Sequence, residues 1–243
     1  NSIILTFDDG LKDHLKVAEI LNSKNIKGVF FIPFGIIETK NFISSHLIQF
    51  LVASANLEEL CSWIEVQLIK DKFENGYINN FYISKWKNNL WTKQEVFITR
   101  TLREVGNDNY RFKLLQNALK KFFKYDLQEL HKNLYLNKKD ISNIVEMGHT
   151  IGSHGWLSCD LRYESNETIN KELTLPMNEL KNYFTGNYWL SYANGGCNTL
   201  IKKKTKKFGY TCAFGTNHSK IDDFNKNRFD LPRFDATKLN IFL

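Results

Sequence analysis

The chain has 243 residues, of which 42% are hydrophobic and 24% charged. These values are typical of a globular protein and exclude a disordered, collagen-like or coiled-coil chain. Lysine and arginine (33) exceed aspartate and glutamate (26), which gives a net charge of +7. That charge permits an anionic partner, but the lysines are dispersed and no recognition motif accompanies them, so we expect no nucleic-acid binding.

The first 33 residues predict a strand–helix–strand unit. Residues 3–7 are a short apolar run of β-favouring residues, 13–23 follow a helical period, and 29–32 form a second apolar run closed by Pro33. Such a unit indicates an α/β fold with a parallel sheet.

The next hundred residues differ in pattern, because the periodicity from about 44 to 136 is mostly helical. Trp63, Trp86 and Trp91 add large apolar side chains to this region. We interpret it as a helical insertion within one domain that spans residues 1–243. Its aromatic residues are expected to pack in a core, and a sugar-stacking platform is the alternative.

The alternation of strands and helices returns near residue 138. Strands are predicted at 149–154, 188–192, 210–214 and 229–234, and helices at about 138–148, at 164–184 and from Asn198 to 208. Pro176 is expected to kink or split the second of these helices. The lysines at 202–207 are interpreted as a solvated helix face.

The chain shows no membrane or export signal by pattern. The longest apolar stretch, about 29–37, is far shorter than the roughly 20 residues of a spanning helix. No secretory signal precedes the first strand. The four cysteines (Cys61, Cys159, Cys197 and Cys212) lack the spacing of a disulfide framework or a CxxC pair. If the sequence starts at its natural N-terminus, we therefore expect a cytoplasmic protein with reduced thiols.

Two segments carry residues suited to metal-assisted chemistry. Asp8 and Asp9 follow the first predicted strand, where α/β folds place their sites, so one carboxylate could bind a divalent metal while the other accepts a proton. His154 ends a predicted strand in the segment Gly-His-Thr-Ile-Gly-Ser-His, a position suited to a metal ligand. A plain turn and a structural histidine are the alternatives.

Together with Tyr192 and Gly195 in a later Ser-Tyr-Ala-Asn-Gly-Gly segment, these motifs resemble the polysaccharide deacetylase family, the NodB-homology domain of carbohydrate esterase family four. The resemblance covers about 1–40 and 138–235. It implies a distorted (β/α) barrel, with the insertion at about 44–136 lying outside the shared region. The insertion could cap the site and favour a small or carrier-linked sugar over a long polymer.

The resemblance also implies roles for individual residues. Asp8 would be the general base, Asp9 and His154 would bind a divalent metal, with zinc as first candidate, and a backbone N–H near Tyr192 would stabilise the oxyanion. The expected reaction is removal of an N-acetyl group from a sugar or polysaccharide.

Three departures from the family pattern qualify that expectation. Ser158 occupies the position of the second metal histidine and is a poor zinc ligand, so the site could hold metal weakly or use Cys159 or Asp160 instead. The family's arginine near Ser191 is missing, and Arg233 could supply its charge from another strand. The general-acid histidine has no clear counterpart, although His218 lies in a polar loop.

Two further hypotheses remain open from the sequence. The first is a catalytically impaired relative that binds carbohydrate. The second is an interaction protein whose helical insertion recruits a partner. Nucleophilic catalysis and nucleotide binding are poorly supported, since the chain has no Gly-x-Ser-x-Gly elbow, Walker loop or dinucleotide fingerprint.

Overall fold

The computed structural model describes residues 3–85, 91–183, 186–217, 219 and 224–236. The chain divides into two compact units. The first comprises residues 1–42 and 127–243, and the second comprises 43–126. The second unit ends short of position 136, where the sequence pattern placed the end of the insertion.

The first unit is built on a five-stranded sheet, which is parallel, as the sequence pattern indicated, and has its strands in chain order. The strands are β1 (Leu5–Phe7), β2 (Gly28–Ile32), β3 (Thr150–Ser153), β4 (Trp189–Ser191) and β5 (Cys212–Phe214). Because all five run in one direction, their carboxyl ends share one edge of the sheet.

The helices have the following bounds: α1 (His14–Ser23), α2 (Phe34–Thr39), α3 (Ser44–Ser54), α4 (Leu57–Lys70), α5 (Asn75–Asn79), α6 (Lys93–Glu104), α7 (Asp108–Phe122), α8 (Leu127–Leu134), α9 (Lys138–Glu146), α10 (Asn166–Leu180), α11 (Thr199–Lys207) and α12 (Phe224–Asn227). Helices α3 to α7 make up the second unit. None of the helices within the described ranges combines the length and apolar character that a membrane crossing requires.

The two faces of the sheet pack differently, as alternation along β2 shows. Phe30 and Ile32 join the larger core that includes residues of α1, α9, α10 and α11. Val29 and Phe31 face the other way, in a smaller cluster with Phe214 and Leu231. Strand residues that succeed one another point to opposite faces, so β2 is buried on both sides.

Segment 127–136 belongs to the first unit because its backbone pairs with the turn after β1. The Lys12 N–H donates to the Leu134 carbonyl at 2.7 Å, and the Leu136 N–H donates to the Gly10 carbonyl at 2.9 Å. An isolated antiparallel bridge joins Leu11 and Tyr135 between them. These contacts fix the turn that carries Asp8 and Asp9.

Two predicted elements that contain proline can be compared with the structure. Helix α10 continues through Pro176 without splitting, although this proline has no N–H to donate to the preceding turn. The strand expected at 229–234 is wrong: only a single bridge from Leu231 to Phe214 forms there. Pro232 cannot donate to a ladder, which limits regular pairing at this point.

Phe30 offers a direct test of the core. Its side chain is fully buried and stacks on Phe7 at a centroid separation of 4.9 Å. Replacing it in Phe30→Ala should lower the free energy of unfolding by about 3–5 kcal/mol, because the ring is lost and a cavity remains. Urea denaturation followed by circular dichroism measures this.

The control is Phe112→Ala, which removes the same ring from a side chain that is 60% exposed. It should change the free energy of unfolding by no more than about 0.5 kcal/mol. Equal losses in both variants would contradict the assigned core.

Candidate active site

The predicted site residues come together at the carboxyl edge of the sheet. Asp8 and Asp9 follow β1, His154 follows β3, and Ser191 is the last residue of β4. This edge is where open α/β sheets place ligand sites, because loops from several strands converge there. Arg233 reaches the same place from beyond β5.

Asp8 is held by two donors. Arg233 Nη1 lies 2.9 Å from Asp8 Oδ1, and Ser191 Oγ donates to Asp8 Oδ2 at 3.1 Å. Burial alone would raise the pKa of Asp8, but His154 and the Arg233 guanidinium outweigh it and lower the pKa below its ordinary value. Asp8 is therefore ionised near neutral pH and can accept a proton.

Arg233 is itself fixed by the backbone around β5. Its Nε donates to the Gly215 carbonyl at 3.0 Å, and its N–H donates to the Asn217 carbonyl at 3.0 Å. These bonds follow the bridge at Leu231 and turn the guanidinium towards Asp8. The structure thus brings Arg233 to the carboxylate that lacks the family's usual arginine partner.

His154 faces Asp9 with a defined tautomer. Its Nδ1 lies 2.9 Å from the Ser191 carbonyl, and since a carbonyl only accepts, Nδ1 carries the proton. Its Nε2 lies 3.4 Å from Asp9 Oδ1. Two acceptors at this separation repel unless a cation or a proton lies between them.

The His154–Asp9 pair therefore fits a divalent cation. An imidazole that donates through one nitrogen to a backbone carbonyl and offers the other is the usual arrangement of a metal-ligating histidine. In the absence of a metal, burial would lower the pKa of His154, but the Asp8 and Asp9 carboxylates outweigh it and raise the pKa. Both observations show a site built to attract positive charge.

A third protein ligand is not evident among the described residues, where no three His, Cys, Asp or Glu side chains cluster to hold a metal. Asp160 is engaged by Arg162, whose Nη2 lies 2.6 Å from Asp160 Oδ2. Cys159 is half-buried, and burial together with nearby Glu172 raises its pKa. Ser158 adopts a left-handed backbone with φ of 60° in the same loop.

The backbone at Asp9 is also unusual. Asp9 and Gly10 have φ of 77° and 62°, a left-handed pair in which the aspartate is tolerated because its short side chain can bond locally. This conformation turns the chain sharply after Asp8. It lets two adjacent carboxylates face the same region, which alternation along a strand would forbid.

The N–H of Tyr192 itself is engaged in the sheet. Its N–H already donates to the Phe214 carbonyl at 3.0 Å, so the structure does not support it as an oxyanion donor. Its side chain is buried in the core, where the hydroxyl donates to Phe229 O at 3.2 Å. An oxyanion donor near Tyr192 would therefore have to be the N–H of a neighbouring residue, and this role stays a prediction. His218, the tentative acid of the sequence pattern, lies outside the described residues.

Ser191 was not recognised from the sequence as a functional residue in its own right. It is fully buried, its hydroxyl bonds Asp8, and its carbonyl orients His154. A polar residue at the end of an otherwise apolar strand was the available signal.

Part of the chain matches a known protein family. The family model described as polysaccharide deacetylase matches residues 98–213. This stretch contains His154 and Ser191, whereas Asp8, Asp9 and Arg233 lie beyond it. No curated protein matches the sequence.

The solved structures that resemble this chain include two deacetylases. The Streptococcus pyogenes deacetylase PplD, determined in complex with acetate, is 13% identical with a TM-score of 0.52, and the match covers 95% of this chain and 62% of that one. A polysaccharide deacetylase from Bacillus cereus is 12% identical with a TM-score of 0.50, covering 95% and 46%. This chain thus spans less than two thirds of either relative. The likeness confirms the predicted deacetylase-type (β/α) barrel fold.

The coupling between Asp8 and Arg233 can be measured by a double-mutant cycle of unfolding. Asp8→Asn, Arg233→Met and the double variant should give a coupling of about 0.5–3 kcal/mol, because the pair is largely buried and directly bonded. The exposed pair Glu167 and Lys171 supplies the control cycle, whose coupling should be much smaller. A coupling for Asp8 and Arg233 no larger than the control would argue against the pairing.

Proposed function

We propose, from the confirmed resemblance to the polysaccharide deacetylase family, that this chain is a metal-dependent hydrolase that removes an acetyl group from an N-acetylated sugar. One observation carries the proposal. An ionised carboxylate, Asp8, is held by Arg233 and Ser191 beside a pair of metal-type donors, Asp9 and His154. A proton acceptor beside a cation site is what hydrolysis of an amide requires.

The metal would be bound by Asp9 and His154, with Ser158 as a weak third ligand and zinc as the first candidate. A bound divalent cation would polarise the acyl carbonyl and acidify a water molecule. With only two strong protein ligands, binding should be weaker than in a site with three.

Asp8 would remove a proton from the attacking water as its oxygen bonds the carbonyl carbon. Ser191 and Arg233 fix both carboxylate oxygens, so the base does not need to reorganise during the step. When the C–N bond breaks, the departing nitrogen needs a proton, and Asp8 holds one at that stage. The products would be acetate and a free amino sugar.

A carbohydrate-binding protein without catalysis is the second candidate. It is favoured by the lack of a cluster of three His, Cys, Asp or Glu ligands among the described residues. Such a protein would bind acetylated sugars and release no acetate.

Acetate release tests the proposal. Purified protein supplied with zinc, cobalt or nickel should release acetate from acetylated chito-oligosaccharides. Asp8→Asn should lower kcat by about 10²–10⁴-fold, the usual contribution of a general base.

Asp13→Asn is the matched control, since Asp13 is exposed and its side chain makes no cap bond to α1. It should retain the wild-type rate. Sugar binding with no acetate release by the wild type would support the second candidate, and an Asp8→Asn variant as fast as wild type would remove Asp8 from the mechanism.

A further inference from the structure

A buried carboxylate lies beneath the loop that follows His154. Glu172, on α10, is 3% exposed. Its Oε2 accepts the Trp156 N–H at 2.9 Å, and its Oε1 accepts the Leu157 N–H at 2.9 Å. A further backbone bond comes from Cys159. Three amides of one loop, those of Trp156, Leu157 and Cys159, therefore converge on a single side chain.

Burial raises the pKa of Glu172, and the backbone N–H groups of Leu157, Trp156 and Cys159 oppose that shift. Among the ion pairs formed within the described ranges, none includes Glu172. Hydrogen bonds from N–H groups to an ionised acceptor are stronger than neutral ones, and a carboxylate left without them would be costly to bury. The loop amides thus allow the Glu172 carboxyl group to be buried, and the carboxyl group in turn holds the loop.

The loop conformation is specific to this arrangement. Gly155 has φ of 77° and Ser158 has φ of 60°, so left-handed residues flank the amides that point at Glu172. A Cβ on Gly155 would lie 2.5 Å from Glu172 Oε2, so only glycine fits here. The opposite side of the loop is tied by Gly35, whose N–H donates to the Trp156 carbonyl at 2.8 Å.

We propose that Glu172 is a positioning residue for the metal site: its carboxylate sets the loop that leads from His154 to Ser158. This inference rests on the proposed function. His154 immediately precedes the loop, and Ser158 lies within it, so their separation and direction depend on how the amides of Trp156 and Leu157 are held. Glu172 itself touches neither substrate nor metal.

The test uses Glu172→Gln, which keeps the shape but replaces one acceptor by an NH₂ that faces backbone donors. The control is Glu167→Gln, an exposed residue of the same helix. Hydrogen exchange of the Trp156 and Leu157 amides should accelerate about tenfold or more in Glu172→Gln and remain unchanged in Glu167→Gln. Zinc affinity, by calorimetric titration, should fall about 10–100-fold in Glu172→Gln, as when other outer partners of metal ligands are removed.

Faster exchange with unchanged zinc affinity and kcat would overturn the positioning role and leave Glu172 as a structural residue. Unchanged hydrogen exchange at Trp156 and Leu157 would show that the side chain of Glu172 does not hold the loop. Wild-type protein that neither binds zinc nor releases acetate would instead overturn the proposed function, and the positioning role with it. If Glu172→Gln does not fold, Gly155→Ala is the second variant, because its added methyl group would push the Glu172 carboxylate away from the loop. It should also accelerate hydrogen exchange at Trp156 and Leu157 and weaken zinc binding.

Discussion

The site depends on Ser191, a buried residue that bonds two functional groups at once. Its hydroxyl holds Asp8, and its carbonyl fixes the proton of His154 on Nδ1. In the neutral imidazole, Nε2 is therefore an acceptor, and it lies 3.4 Å from Asp9 Oδ1. These two acceptors repel unless a proton or a cation lies between them, and the Asp8 and Asp9 carboxylates raise the pKa of His154, so the pair favours positive charge beside the proton acceptor Asp8.

The parallel sheet makes this arrangement possible. β1, β3 and β4 end at the same edge, and each contributes one part of the site in its last residue or the next one. Backbone bonds then fix the loops: segment 134–136 holds the turn after Asp9, and Glu172 holds the loop after His154. The positions of the reactive side chains thus follow from main-chain pairing more than from contacts among themselves.

Sequence patterns predicted the βαβ unit, the parallel sheet and the grouping of Asp8, Asp9 and His154, because buried parallel strands leave continuous apolar runs that end in polar turns. They could not reveal Glu172, whose spacing from His154 matches no local motif. Nor does the sequence show that the N–H of Tyr192 donates to the Phe214 carbonyl. Both features depend on hydrogen bonds between segments that are far apart in the sequence.

Calorimetric titration with zinc tests the paired acceptors most directly. Wild-type protein should bind about one equivalent, and Asp9→Asn should lose that binding because the amide offers no negative charge opposite His154. Asp13→Asn, a nearby exposed carboxylate, should bind as the wild type does. A wild type that takes up no zinc, or an Asp9→Asn variant that binds it equally well, would contradict a metal site between Asp9 and His154.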